Sequence, residues 1–167
     1  FWLDLIKELS KRNVVIVVGS VVSALSDHPD SSVGQFVHDL EALDSQPKSR
    51  IISLIGDRPI RILMKLIQNA KAVFCLDSAP LYIAQACNTP AISFWGTHDP
   101  RVRLGYDKRY MDLAVWRKEF CPSCPCFAYA ELPLHKCPSR EMAKSCVVLD
   151  ASTVRDAWEK LSSVESA

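Results

Sequence analysis

The sequence predicts an α/β protein with an open, doubly wound parallel sheet. Short apolar runs rich in β-branched residues alternate along the chain with longer segments whose apolar residues recur at helical spacing. The first run, Val14 to Val18, is apolar at every position, which favours a strand covered on both faces, as in parallel sheets. Regular alternation of strands and helices is typical of doubly wound α/β folds.

The elements of the first third of the chain follow from these patterns. A single apolar stripe predicts a helix over Phe1 to Ser10, and the strand Val14 to Val18 follows it. One apolar side predicts a helix over Ser31 to Leu43, and Ile51 to Ile55 is a second short apolar strand. Glycines directly after both strands mark their carboxyl ends.

The next elements repeat the same alternation. Residues Ile60 to Ile67 have the amphipathic i, i+3, i+4, i+7 pattern, and a strand is expected over Ala72 to Leu76. A helix that Pro80 opens runs to about Cys87, and a strand follows over Ala91 to Phe94. The segment from His98 to Val148 is rich in Pro and Cys and is expected to be irregular. A last helix begins at a cap, either Asp150 or Ser152.

Composition and length place the chain among globular proteins of about one domain. It has 167 residues, 49% hydrophobic and 23% charged. The net charge of +1 gives no electrostatic case for a nucleic-acid partner. No apolar run approaches the roughly 18 residues that suggest a membrane span. We therefore expect a single domain over residues 1–167, with no nucleic-acid partner and no transmembrane segment.

A candidate binding site lies where the third predicted strand ends. Ligands of open parallel sheets bind beyond the carboxyl ends of the strands. There, Asp77-Ser78-Ala79-Pro80 places small residues at a helix start, where free N–H groups and the helix dipole favour an anion. The Asp77 carboxylate would repel a phosphate. It is therefore expected to accept hydrogen bonds from sugar hydroxyls or to orient the turn. The alternative is that Asp77 and Ser78 only cap the helix.

The neighbouring strand end carries Gly96 and Thr97. Glycine there allows a ligand to approach the backbone closely, although an ordinary turn explains the pair as well. A turn is also the favoured interpretation of His98-Asp99, and a core position is favoured for Trp95. The chain contains no G-x-G-x-x-G, Walker A or G-x-S-x-G motif, so we expect no redox cofactor and no P-loop or hydrolase chemistry.

Five of the seven cysteines lie in one irregular segment at about 117–148. Four of them have the form C-x2-C…C…C, which is a plausible tetrahedral thiolate site for structural zinc or iron, namely Cys121, Cys124, Cys137 and Cys146. Cys126 is a spare or alternative ligand, and His135 is a weaker candidate. Free thiols or one disulfide are the alternatives.

The motifs between Ile51 and Pro100 together resemble a known family. In order, they are Leu54-Ile55-Gly56, an amphipathic helix, Asp77-Ser78-Ala79-Pro80-Leu81-Tyr82, a strand after Thr89-Pro90, and Trp95-Gly96-Thr97-His98-Asp99-Pro100. Their order and spacing resemble the C-terminal domain of family 9 glycosyltransferases, the ADP-heptose:lipopolysaccharide heptosyltransferase group. The cysteine segment is similar to a four-cysteine metal finger of relatives that modify autotransporters.

The resemblance implies the GT-B architecture of two Rossmann-like domains, of which this chain would be the C-terminal, donor-binding half. It implies that Asp77, Ser78 and Ala79 meet the sugar and diphosphate of the donor. It also implies that Leu54, Ile55 and Gly56 line the nucleotide pocket, and that Gly96 and Thr97 flank the same cleft. The expected activity is transfer of a sugar, with heptose favoured, from a nucleotide-diphosphate sugar to a glycan or protein. Such an enzyme works in the cytoplasm or at the periphery of the bacterial inner membrane.

Two features depart from the family pattern. Tyr82 stands where the family usually has His, and Ala79 stands where it usually has Gly. The resemblance further implies that the first strand of the domain, the acceptor domain and its catalytic base would all precede Phe1. We therefore expect no catalytic residue and no turnover in these 167 residues alone. The alternative is a non-catalytic Rossmann-like binding or assembly module with a structural metal site.

We predict one metal ion per chain at the four-cysteine site. Because a closed set of four thiolates leaves no open coordination position, the metal should be structural and stoichiometric. Elemental analysis of protein purified without a chelator should therefore find zinc or iron. Absence of both metals, or a Cys–Cys bond among the four residues, would contradict the prediction.

Overall fold

A computed structural model gives the fold of the chain and describes residues 2–19, 32–116, 125 and 151–165. The chain divides into two compact units, Phe1–Leu63 and Met64–Ala167. Both contain parallel strands connected through helices, as in Rossmann-like folds, so the α/β class predicted from the alternation is confirmed.

The first unit is a two-stranded parallel sheet with two helices. In chain order its elements are α1 (Trp2–Ser10), β1 (Val15–Gly19), α2 (Ser32–Asp44) and β2 (Ile51–Ile55). β1 and β2 run in parallel with Val15 opposite Ile51 and Gly19 opposite Ile55. The next helix, α3 (Ile60–Gln68), spans the boundary between the units.

The core of this unit lies on one face of its sheet. Ile6, Leu40 and Ile51 form a buried cluster against which Val15 and Val17 pack. The alternation of side chains along a strand turns the other residues of β1 to the opposite face. There Val14, Ile16 and Val18 are 63%, 42% and 39% exposed. The expectation that both faces of this strand are covered is therefore wrong for the unit taken by itself, because α1 and α2 pack on one face only.

The second unit is a three-stranded parallel sheet in the order β3-β4-β5. Its elements after α3 are β3 (Val73–Leu76), α4 (Ala79–Cys87), β4 (Ala91–Trp95), α5 (Pro100–Leu104), α6 (Lys108–Asp112), β5 (Ala114–Trp116) and α7 (Ala151–Glu165). β4 is central, and all five of its residues are buried. Trp95 is 2% exposed and donates its indole N–H to Ser93 Oγ at 2.8 Å, which confirms its predicted place in the core.

The carboxyl end of α4 is held by several hydrogen bonds. Asn88 adopts the left-handed conformation (φ 59°) that commonly ends helices, and the N–H of Thr89 donates to the Ala84 carbonyl at 2.9 Å. The Thr89 hydroxyl donates to the Ile67 carbonyl at 2.9 Å, which ties the end of α3 to the end of α4. The buried Tyr110 hydroxyl of α6 lies 2.9 Å from the carbonyl oxygens of both Ala84 and Thr89.

Part of the segment expected to be irregular is regular. Residues 100–116 contain two short helices and a strand, and two aspartates start the helices. The Asp99 side chain accepts from the N–H of Arg101, and the Asp107 side chain accepts from the N–H of Arg109. Elements of three to five residues are too short to show periodicity, which explains why the sequence pattern did not reveal them.

The last helix, α7, begins at Ala151, next to the two predicted cap residues. It buries Leu161, Ala157 and Thr153. The Lys160 ammonium donates to the Asp112 carbonyl at the end of α6. Burial lowers the pKa of Lys160. The helix therefore packs on the β4–β5 side of the sheet, where these contacts hold it.

We predict that Tyr110→Phe destabilises the protein by about 1 to 2 kcal/mol, since it removes a buried donor from two backbone carbonyls. Urea unfolding followed by circular dichroism measures the change. Tyr106→Phe is the matched control, because the Tyr106 side chain is 76% exposed and its hydroxyl donates to the side chain of Gln85, at 3.1 Å, and not to a buried backbone carbonyl. Equal stability of the two variants would show that the Tyr110 hydroxyl contributes nothing.

Candidate functional site

The two predicted strand ends of the second unit meet at one edge of the sheet. β3 and β4 are parallel neighbours with Leu76 opposite Phe94. The residues that follow these strands, from Asp77 and from Gly96 onward, therefore emerge side by side. This is the edge at which doubly wound sheets bind ligands.

Asp77 is held in a defined orientation at this edge. Its Oδ1 accepts a hydrogen bond of 2.7 Å from the hydroxyl of Tyr82, which lies in the first turns of α4. Its Oδ2 lies 4.0 Å from Nδ1 of His98, which follows β4. The Asp77 side chain is 20% exposed, so the carboxylate remains accessible to a ligand. Neither contact is with the first N–H groups of α4, so Asp77 does not cap the helix.

Ser78 stands at the capping position of α4 without capping it by its side chain. Its backbone is extended (φ −155°, ψ 173°), and its side chain makes no cap hydrogen bond. Instead, the hydroxyl donates to the Leu76 carbonyl at 3.3 Å. The first N–H groups of a helix have no partner within the helix. The Ser78 side chain satisfies none of those of α4, whereas the Leu81 N–H donates to the Ser78 backbone carbonyl at 3.0 Å. This observation separates the two interpretations of the sequence and goes against a purely capping role.

The turn after β4 brings a histidine to the same place. Thr97 Oγ1 lies 2.9 Å from Nδ1 of His98, and the Gly96 carbonyl accepts the indole N–H of Trp116 at 3.3 Å. Asp99 caps α5, so the turn interpretation holds for Asp99. His98 also lies in this turn, as predicted, and its Nδ1 is 4.0 Å from Oδ2 of Asp77.

Sequence reasoning missed the His98 contact for a physical reason. The two residues are 21 positions apart and meet only because adjacent parallel strands end at the same level. The available signal was that Asp77 directly follows one predicted strand and that His98 lies four residues beyond the end of the next. Arg103 of α5 was also missed: it is exposed, and its charge lowers the pKa of Tyr82.

Two acidic groups at this edge, the Tyr82 hydroxyl and the Cys75 thiol, have raised pKa values. Burial, followed by the hydrogen bond to Asp77, raises the pKa of Tyr82 to about 12 despite the charge of Arg103. Burial and then the Asp77 charge raise the pKa of the Cys75 thiol to about 12. Tyr82 is therefore a hydrogen-bond donor throughout the physiological range. Cys75 is a protonated thiol there and not a nucleophile.

The other predicted donor-site residues lie in the first unit. Leu54 and Ile55 are the last residues of β2, and Gly56 follows them, so a strand end exists where it was expected. Gly56 has φ +129°, a conformation that favours glycine, and its N–H donates to the Gly19 carbonyl at 2.8 Å. The assignment of these three residues to a nucleotide pocket stays a prediction.

A depression of about 350 Å³ lies elsewhere in the first unit, at the amino end of β2, with Lys7, Lys48 and Arg50 among its lining residues. We place the site at Asp77 instead, because that end of a parallel strand is the binding edge. The four predicted metal ligands, Cys121, Cys124, Cys137 and Cys146, lie outside the described residues. Within residues 2–19, 32–116, 125 and 151–165 no cluster of three metal-ligating side chains occurs.

A comparison with protein families gives the context for this geometry. A family model described as glycosyltransferase family 9 (heptosyltransferase) matches residues 2–127. The chain belongs to glycosyltransferase family 9. The match spans most of the chain and includes every strand end discussed above. No curated protein and no solved structure gives a significant match.

Membership in glycosyltransferase family 9 confirms the resemblance inferred from the motifs. It supports a glycosyltransferase with the Rossmann-like architecture of that family. In the part of the chain that the structure describes, no helix is long and apolar enough to cross a membrane.

We predict that Tyr82 titrates near pH 12, above the ordinary value of about 10. The difference in alkaline ultraviolet titration between the parent protein and Tyr82→Phe isolates this residue. Asp77→Asn should lower the pKa of Tyr82, because it removes the adjacent charge. Asp39→Asn, at an exposed carboxylate on α2, should leave it unchanged.

The raised pKa of Tyr82 makes the stability of the protein depend on pH in the alkaline range. Between about pH 10 and 12 the unfolded chain releases a proton from this residue that the folded chain retains. The free energy of unfolding therefore falls as the pH rises through that interval, and Tyr82→Phe should remove this part of the decline. An ordinary pKa for Tyr82 in the folded protein would contradict this prediction.

Proposed function

We propose that this chain binds the donor of an inverting family 9 glycosyltransferase, a nucleotide-diphosphate sugar with ADP-heptose favoured. One observation carries the proposal. At a single strand end, an oriented and accessible carboxylate lies beside a hydroxyl and a helix start that neither Asp77 nor Ser78 caps with its side chain. A diphosphate linked to a sugar needs anion stabilisation and hydroxyl recognition at adjacent points, and this edge offers both.

The diphosphate binds at the start of α4. The backbone N–H groups of Ser78, which precedes α4, and of Ala79, its first residue, lie at this start, and the helix dipole places partial positive charge there. Pro80 has no N–H to donate, and its fixed φ suits the first turn of the helix. The Ser78 hydroxyl adds a donor once it turns from the Leu76 carbonyl. Charge that develops on the leaving diphosphate is stabilised by the same groups.

Asp77 binds the sugar and not the phosphates. Two negative charges in contact repel each other, whereas a carboxylate is a strong acceptor for hydroxyl groups. Because Tyr82 occupies Oδ1, the carboxylate presents Oδ2 in a fixed direction. Leu54, Ile55 and Gly56 are proposed to line the nucleotide, largely through backbone atoms, and Gly96 and Thr97 to flank the cleft.

The proposed reaction is a single displacement. An acceptor hydroxyl, on a glycan or a protein, attacks the anomeric carbon from the face opposite the diphosphate. The new C–O bond forms as the bond to the diphosphate oxygen breaks, and the leaving diphosphate takes that electron pair. The hydroxyl proton goes to a general base in the acceptor-binding domain of the GT-B architecture. The configuration at the anomeric carbon is inverted.

Calorimetric titration with ADP, UDP, ADP-heptose and UDP-glucose tests donor binding directly. Ser78→Ala should weaken ADP binding by about 1 kcal/mol, roughly fivefold in Kd, the size of one lost hydrogen bond. Asp77→Ala should weaken binding of the nucleotide sugar more than binding of free ADP, because its partner is the sugar.

Ser45→Ala is the control for Ser78, because Ser45 also donates its hydroxyl to a backbone carbonyl but lies at the end of α2. Failure of all four ligands to bind would overturn the proposal and favour a non-catalytic assembly module. Binding that Asp77→Ala and Ser78→Ala leave unchanged would move the site to another strand end.

A further inference from the structure

The distance between the side chains of Asp77 and His98 would suit a group bound between them. Oδ2 of Asp77 and Nδ1 of His98 are 4.0 Å apart, which is too far for a direct hydrogen bond. A hydroxyl oxygen with hydrogen bonds of about 2.8 Å to two partners holds those partners about 4 to 4.5 Å apart. The gap therefore has the width that one bridging hydroxyl group requires.

The chemistry of the two groups also suits a hydroxyl. Such a group donates one hydrogen and accepts others. The Asp77 carboxylate can only accept. The imidazole of His98 donates from Nδ1 in the tautomer that carries its proton there, with Thr97 Oγ1 as its acceptor at 2.9 Å in the free protein. Both side chains are partly open to solvent, with 20% of Asp77 and 27% of His98 exposed.

We propose that Asp77 and His98 bind one hydroxyl group of the donor sugar between them and so determine specificity for that hydroxyl. The inference rests on the proposed donor-binding function and deepens it. The hydroxyl donates to Oδ2 of Asp77 and accepts from Nδ1 of His98. A sugar without that hydroxyl leaves both groups without a ligand partner, so the site discriminates against it.

Tyr82 is a positioning residue in this arrangement. Its hydroxyl bond of 2.7 Å to Oδ1 fixes the rotation of the carboxylate, so that Oδ2 stays opposite His98. Tyr82 reaches Asp77 from α4, whereas His98 comes from the turn after β4. Tyr82 alone therefore orients the carboxylate, and the bridging hydroxyl would meet groups from two separate elements of the same unit.

Binding measurements on the 167-residue chain separate the sugar contact from the nucleotide contact. Isothermal titration calorimetry would compare ADP with ADP-heptose, and UDP with UDP-glucose as a second pair. His98→Ala should weaken binding of the nucleotide sugar about five- to tenfold and leave binding of the nucleotide diphosphate unchanged. His98→Asn keeps a donor N–H near the same position and should retain most of the affinity.

Monodeoxy derivatives of the bound sugar identify the hydroxyl. For the derivative that lacks the bridging group, His98→Ala should cause no further loss, whereas it should weaken every other derivative as it weakens the parent sugar. Tyr82→Phe should weaken only the nucleotide sugar. His38→Ala and Tyr106→Phe are matched controls, since His38 is 79% exposed beside Asp39 and the Tyr106 hydroxyl bonds to Gln85.

Each outcome decides between the two proposals. If the nucleotide sugar binds and His98→Ala changes nothing, or weakens ADP and ADP-heptose equally, the bridge is wrong while donor binding stands. Additive losses for every monodeoxy derivative would also overturn it. If neither pair of ligands binds the parent chain, the donor-binding function itself fails, and the bridge fails with it.

Discussion

β4 carries the constraint on which the second unit depends, since all five of its residues are buried between two parallel neighbours. The backbone N–H and C=O groups of a strand in that position need hydrogen-bond partners in the strands on both sides. Its buried serine, Ser93, has a partner within the strand, because its hydroxyl oxygen accepts a hydrogen bond from the Trp95 indole N–H. α4, α6 and α7 pack against the sheet that β4 centres. Because β4 fixes the level at which β3 ends, it also fixes the distance between Asp77 and His98.

The strands and the longer helices could be predicted because each has a strong local signature. β2 coincides with its apolar run, and β3 and β4 begin or end within one residue of the expected bounds. The exposed face of Val14 and Ile16 could not be predicted, because a wholly apolar run does not state what covers each face. The short elements between Asp99 and Trp116 depend on capping bonds and on packing with α4, which a search for periodicity does not detect.

The candidate site was also predictable only in part. The sequence located the strand end at Asp77 to Pro80 and left open whether its polar residues only cap a helix. The side chains of Asp77 and Ser78 bond to Tyr82 and to the Leu76 carbonyl and do not cap the helix, and their ligand role stays a proposal. His98 lies in the predicted turn, but its approach to Asp77 could not be predicted, because a residue's neighbours across a sheet depend on the register of the strands and not on local sequence. Tyr82 was noted only as a departure from the family pattern, yet it makes the shortest contact of the Asp77 carboxylate.

Cys75 gives this site a natural reporter of local opening. The thiol is 6% exposed in β3, one residue before the strand ends, and its pKa is about 12. Since alkylating reagents attack the thiolate, modification of Cys75 requires that the strand open to solvent. The rate of alkylation then measures how often β3 opens, with the half-buried Cys87 as an internal comparison. A ligand that binds only the closed strand end must slow that rate by mass action. Mass spectrometry of the alkylated protein then reports how much of the site is occupied, and the ligand itself needs no label.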